Sequence, residues 1–265
     1  MLDDPKSARV KGVARLQQKD ARLETGLFLL EGPQGLKELA LRPQLAQEVF
    51  ATEAALERYA DLFDALEAHD VPIIEVSDRV LDKIADTATP QGVVAVVAQF
   101  DISLEQLIDS KPKLVAVLDR VQDPGNAGTV LRAADAAGAD GVIFTSGSVD
   151  LYNPKTVRST AGSILHVPAV IVVDAVAAAT VLKNAGIQVF AASAGGELVT
   201  NLQQELVRPT AWIFGNEAQG VAESVINVAD KTVALPIYGE AESLNLATAA
   251  SVCLYASAFE QRRNR

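Results

Sequence analysis

The strongest limit on how this chain can fold is a set of six short apolar runs in its C-terminal part. They are LVAVLD (114–119), GVIF (141–144), AVIVV (169–173), QVFAA (188–192), AWIF (211–214) and TVAL (232–235). A run of this length without polar alternation suits a strand covered on both faces. Helical patterns at 127–137 and 175–184 fall between the runs, and a long stretch of small and apolar residues beginning near Ser243 closes the chain. Strands alternating with helices imply an α/β fold with a parallel sheet. Aromatic residues make up only 5% of the 265 residues, so most of the packing between helix and sheet falls to small side chains.

The first hundred residues alternate in the same way on a smaller scale. A basic helix is expected over 7–22, strands over 26–31, 48–51, 72–76 and 93–99, and helices over 33–41, 53–69 and 78–85. A polar stretch at 100–113, containing Pro112, reads as a linker. The expected division is a small α/β domain over 1–105 and a larger parallel-sheet domain over 106–265.

Charge and composition narrow the function. The net charge of −11 weighs against a nucleic-acid partner, but it hides local asymmetry. Residues 1–22 carry Lys6, Arg9, Lys11, Arg15, Lys19 and Arg22, and the tail adds Arg262, Arg263 and Arg265. These basic residues are either an RNA-binding patch or ordinary solvated faces. Cys253 is the only cysteine, which excludes an internal disulfide and favours a reducing, cytoplasmic setting. Neither a signal-like apolar start nor a membrane-length apolar run is expected. The two histidines, His69 and His166, have no metal-ligand spacing.

Ligands of open α/β sheets bind beyond the carboxyl ends of the strands, and three segments with unusual chemistry fall there. The first, DPGNAGTVLR, turns through Pro124 and Gly125 into a helix carrying Asn126, Gly128 and, about one turn inside, Arg132. Ordinary strand-to-helix turning and a surface ion pair would also account for these residues. The second, GNEAQG, ends an apolar strand at Gly215 and runs through Asn216 and Glu217 to Gly220. Its glycines permit close backbone approach, and Glu217 suits either a helix cap or a hydrogen-bonded site. The third, LPIYGEAESLN, leads from Leu235 and Pro236 into Ser243, Leu244 and Asn245 at the start of the last helix. Ser243 is a natural cap, which leaves Asn245 in need of a partner.

Taken together and in this order, the three segments resemble the three motifs of the SpoU (TrmH-like) RNA ribose methyltransferases of the SPOUT superfamily. The similarity spans about 114–261 and extends to RSTAGS (158–163). Residues 9–99, with FLLEGPQGLKEL and TPQGVVAVV, are similar to the L30e-like substrate-binding domain that precedes many such catalytic domains. The resemblance implies a trefoil knot in the sheet domain, a homodimer, and methyl transfer from S-adenosylmethionine to a ribose 2′-hydroxyl of structured RNA, 23S rRNA before tRNA. It places the cofactor on Gly215, Asn216, Gly220, Leu235, Pro236 and Leu244. Arg132 would sit at the reacting oxygen, with Asn126, Glu217, Ser243 and Asn245 completing the catalytic set. Arg9, Lys11, Arg15, Lys155 and Arg158 are candidate RNA contacts, and no metal is required. Where many relatives continue S-L-N with V-S, this chain has Leu246 and Ala247. Two rivals carry less: a dinucleotide oxidoreductase would need a longer glycine fingerprint, and a noncatalytic RNA-binding protein would not need the polar set.

Overall fold

In the computed structural model, residues 1–263 are described; Arg265, counted above in the basic tail, lies outside them. The chain forms two compact units, Met1–Phe100 with Tyr152–Leu165, and Asp101–Leu151 with His166–Arg265. The first part runs α1 (Ala8–Ala14), α2 (Lys19–Thr25), β1 (Leu27–Glu31), α3 (Pro33–Ala40), β2 (Ala46–Ala51), α4 (Glu53–Arg58), α5 (Ala60–Glu67), β3 (Ile73–Glu75), α6 (Asp78–Ile84) and β4 (Val93–Ala98). There follow α7 (Leu104–Asp109), β5 (Leu114–Leu118), α8 (Pro124–Ala137), β6 (Gly141–Thr145), α9 (Pro154–Ser159), β7 (Ala169–Val173) and α10 (Ala175–Asn184). The chain ends with β8 (Gln188–Leu198), β9 (Thr210–Phe214), α11 (Glu223–Ile226), β10 (Lys231–Ala234) and α12 (Leu246–Arg262). Helix α9 belongs to the first unit. Among the described residues no helix is long and apolar enough to cross a membrane.

In the first unit the sheet order is β1-β4-β2-β3. Strand β4 is central and antiparallel to both β1 and β2, which is why its VVAVVA sequence is buried over Val93–Val97. The basic helix expected over 7–22 is broken. Gln18 is extended, and the buried guanidinium of Arg22 donates to the carbonyls of Leu16 and Gln17 (2.8 and 2.9 Å). Arg22 therefore stabilises the break from within and presents no charge at the surface. The helix expected over 53–69 is likewise interrupted, at Tyr59.

The second unit holds an all-parallel sheet of six strands, ordered β10-β8-β9-β5-β6-β7. Its central strands β5, β9 and β6 are buried throughout, as their unbroken apolar runs require. The stretch read as a linker contains α7, which opens on a capping box made by Ser103 and Gln106 and buries Leu107. Helix α8 starts three residues earlier than its apolar periodicity suggests. The Asp123 carboxylate accepts from the Asn126 N–H (2.7 Å), and Pro124 fills the first position, where a missing N–H costs nothing. Strand β8 runs past its expected end, and it does so irregularly. Ala191 pairs with Thr232 and Glu197 with Val233, so residues 192–196 form an excursion from the ladder.

Helix α12 starts at Leu246, with Asn245 as its cap in place of Ser243. The Asn245 side chain accepts from the N–H groups of Ala247 (2.9 Å) and Thr248 (3.3 Å). The helix is tied to the sheet by a buried bond from the Trp212 indole N–H on β9 to the Ser257 hydroxyl (2.8 Å). Both residues are fully enclosed, so losing the hydroxyl would strand a buried donor. Ser257→Ala should lower unfolding free energy by about 1–3 kcal/mol, read by urea denaturation followed by Trp212 fluorescence.

Candidate active site

The carboxyl ends of β5, β9 and β10 open into the three segments singled out in the sequence. The loop after β9 is a closed ring. Asn216 and Gly220 exchange backbone hydrogen bonds (3.0 and 2.8 Å), and the Asn216 side chain accepts from Ala218 and Gln219 and donates to the Arg120 carbonyl. A β-carbon on Gly215 would lie 2.1 Å from the Gly220 carbonyl carbon and the Val221 nitrogen. Only glycine allows backbone to approach backbone this closely. The ring projects Glu217 toward the loop after β5.

Glu217 joins the three segments. Its carboxylate accepts from the backbone N–H groups of Gln122 (3.2 Å) and Asp123 (3.1 Å) and from the Asn126 amide (3.2 Å). The Asn126 side-chain Oδ1 accepts in turn from the Asn245 side-chain amide (2.9 Å). Asn245 thus both caps α12 and bonds to α8, which answers the need for a partner read in the sequence. Burial raises the pKa of Glu217, but its own backbone N–H, those of Gln122 and Asp123 and the Asn126 amide outweigh that and hold it below the usual glutamate value.

A cavity of about 160 Å³ opens between the β8 excursion, the loop after β10 and α12. Leu235, Ile237, Leu244, Ser243, Glu242 and Cys253 are among the residues that line it. Of the expected cofactor positions, Leu235 and Leu244 lie in its wall, whereas Gly215, Asn216, Gly220 and Pro236 do not. Ser243, expected to be catalytic, also faces it. Burial pushes the Cys253 thiol up to about 12, so it forms an inert, neutral part of the wall.

Arg132 stands apart from this network. It is exposed and has no hydrogen bond or ion pair with the described residues. Because α8 begins at Pro124, Arg132 lies more than two turns inside it. At about 100° per residue it faces roughly 120° away from Asn126. Within one chain, Asn126 and Glu217 do not orient it. The five residues expected to bind RNA also differ among themselves. Arg9 pairs with Glu48, Arg15 with Glu24, and Arg158 with Glu31 and Asp86. Lys11 and Lys155 are exposed with no ionic partner among the described residues.

The sequence reading passed over three features. Asp119, 1% exposed, directly follows β5 and accepts from the Thr145 hydroxyl and the Ala222 N–H (3.4 and 3.3 Å). A charge closing an otherwise apolar strand was its signal. Arg120 beside it adopts a left-handed backbone, φ +55°, and ion-pairs with Asp119. The excursion at 192–196 had only the Gly195-Gly196 pair to announce it. Among the described residues no cluster suited to a metal ion occurs.

The bonds to Glu217 imply a pH dependence. Its folded pKa is lowered, so these bonds contribute stability above the ordinary glutamate range and lose it as pH falls through the lowered value. Glu217→Gln should therefore be less stable than the wild type at neutral pH and converge with it in acid, as measured by denaturant titrations at stepped pH.

Comparisons with known proteins place the chain in a family. Residues 113–255 match the SpoU rRNA Methylase family, and residues 7–95 match the MRM3-like substrate binding domain. A 23S rRNA (guanosine(2553)-2'-O)-methyltransferase, RlmP, of Bacillus subtilis (strain 168) is 32% identical over 96% of this chain and 97% of its own length. The AdoMet-bound rRNA methyltransferase from Sinorhizobium meliloti superposes with a TM-score of 0.80 at 27% identity, over 99% of this chain and 97% of that one. The SpoU methyltransferase AviRb from Streptomyces viridochromogenes, in complex with AdoMet, does so with 0.83 at 27% identity, over 97% and 100%. With a matched family region spanning more than half its length, and the three converging segments inside that region, the chain belongs to the SpoU rRNA methylase family.

Proposed function

We propose that this protein transfers a methyl group from S-adenosylmethionine to a ribose 2′-hydroxyl of 23S rRNA. The observation that carries this reading is the meeting of Asn126, Glu217 and Asn245 beside the cavity lined by Leu235, Ser243 and Leu244. The cavity suits the cofactor. Its apolar wall fits an adenosine, and its hydroxyls and single carboxylate fit the polar tail and the sulfonium. Bound there, S-adenosylmethionine supplies an electrophilic methyl group on a positively charged sulfur. Ribosomal RNA is preferred over tRNA because the Bacillus relative, aligned over nearly its whole length, is named for 23S rRNA, and because residues 7–95 match a substrate-binding domain.

The chain's own residues then have an alignment task. Glu217, tied down by two backbone donors, holds Asn126. Asn126 and the cap of α12 hold Asn245, so the polar wall is fixed before RNA arrives. Ser243 is free to bond the ribose. Arg132 is a permanent cation and acts by stabilising negative charge on the reacting oxygen as its proton leaves. Lys11 and Lys155 contribute to holding the RNA backbone.

Arg132 does this for a second copy of the chain. Helix α12 exposes Val252, Tyr255 and Phe259, spaced so as to form one stripe. The Tyr255 hydroxyl bonds the Ala136 carbonyl on α8 (3.3 Å), and Arg132 lies one turn before Ala136 on the same face. A homodimer that buries this stripe carries Arg132 toward the partner's pocket.

Three outcomes follow. Arg132→Ala should cut methyl transfer by about a hundredfold or more while calorimetric affinity for S-adenosylmethionine stays unchanged. Charging the stripe with Tyr255→Glu and Phe259→Glu should give a monomer by sedimentation, with activity lost. Mixing inactive Arg132→Ala with inactive Gly215→Val after subunit exchange should restore about one quarter of wild-type activity, since half the dimers would hold one intact composite site. No recovery, with exchange verified, would place Arg132 in its own chain's site.

A further inference from the structure

We infer that Glu242 makes the cofactor cavity selective for the positively charged sulfur of S-adenosylmethionine over the neutral thioether of its product. The inference rests on the proposed methyl transfer and concerns a residue that takes no part in the alignment network. Glu242 is exposed at the cavity wall, next to Ser243, and has no hydrogen bond or ion pair among the described residues. Among the described residues no lysine or arginine lines the cavity, and its other ionisable group, Cys253, is held neutral by burial. A cavity with one carboxylate and no cation favours a cationic guest.

The position of Glu242 selects which cation it reads. It stands three residues before Asn245, whose side chain is fixed by the α12 cap and by Asn126. Glu242 shares the cavity wall with Ser243 and Leu244, so in this inference it serves the end of the cavity that leads to Asn245. Cofactor and product share the adenosine, the ammonium and the carboxylate. They differ in the methyl group and in the charge on sulfur, which the reaction removes: the sulfur–methyl bond breaks, its electron pair stays on sulfur, and the ribose oxygen takes the methyl as it gives up its proton to solvent water. A carboxylate near the sulfur loses its counter-charge at that moment. It thus binds the cofactor, releases the product, and leaves the pocket free for the next cofactor.

The test is calorimetric titration of the full-length protein and of Glu242→Gln with S-adenosylmethionine, S-adenosylhomocysteine and sinefungin, which places an ammonium near the sulfonium position. In Glu242→Gln, affinity for S-adenosylmethionine and sinefungin should fall by about five- to tenfold and affinity for S-adenosylhomocysteine should hold. The wild-type preference should shrink as salt is raised. Glu242→Asp should keep most of the preference, and an unchanged melting temperature would verify folding of both variants. Equal weakening for all three ligands would assign Glu242 to the shared ammonium and overturn the inference, as would no change for any. A wild-type protein that binds none of the three would instead sink the methyl-transfer reading itself.

Discussion

The site depends on the side chain of Asn245. Its oxygen caps α12, and its amide bonds Asn126 on α8, which is held in turn by Glu217 from the loop after β9. One short polar chain therefore fixes the relative positions of three segments that together span 119 residues of sequence. A helix with a mostly apolar body and a polar mouth is the consequence. The body must pack on β5, β9 and α8, and the mouth must satisfy donors that would otherwise be stranded.

The same economy explains the charge pattern. The chain is acidic, yet several of its basic residues are bound by acidic neighbours or, like Arg22, turned inward to cap carbonyls. Exposed ion pairs of this kind add little stability, but they remove charge from the surface that could otherwise bind nucleic acid without discrimination. Under the proposed function, cations without partners among the described residues, Arg132 and Lys11 among them, would have more influence on where RNA is held than the total count of basic residues suggests.

Much of the fold was legible in the sequence because it follows from periodicity. Each of the six apolar runs became a strand of the parallel sheet; for the central β5, β6 and β9 burial on both faces leaves no room for polar alternation, whereas Val172 on the edge strand β7 is exposed despite its apolar run. Boundaries were less legible. Ser243 reads as the natural cap of the last helix, yet Asn245 takes that place and bonds Asn126 as well. The break between α1 and α2 depends on a guanidinium several residues away. The excursion of β8 leaves no mark beyond two glycines, because Ala192, Ser193 and Ala194 suit a strand as well as a loop. In the site, the order of the three segments could be read, and so could the residues they carry. Which residues touch could not: the face occupied by Arg132 follows from helix geometry only once the helix is known to start at Pro124.

The central claim, methyl transfer to ribose, is tested most directly by product analysis. A 23S rRNA transcript incubated with the protein and methyl-labelled S-adenosylmethionine would be digested to nucleosides and separated by chromatography with mass detection. The account predicts that the label resides in a single 2′-O-methylated nucleoside. Label on a base, or none on RNA from a protein that binds the cofactor, would contradict it.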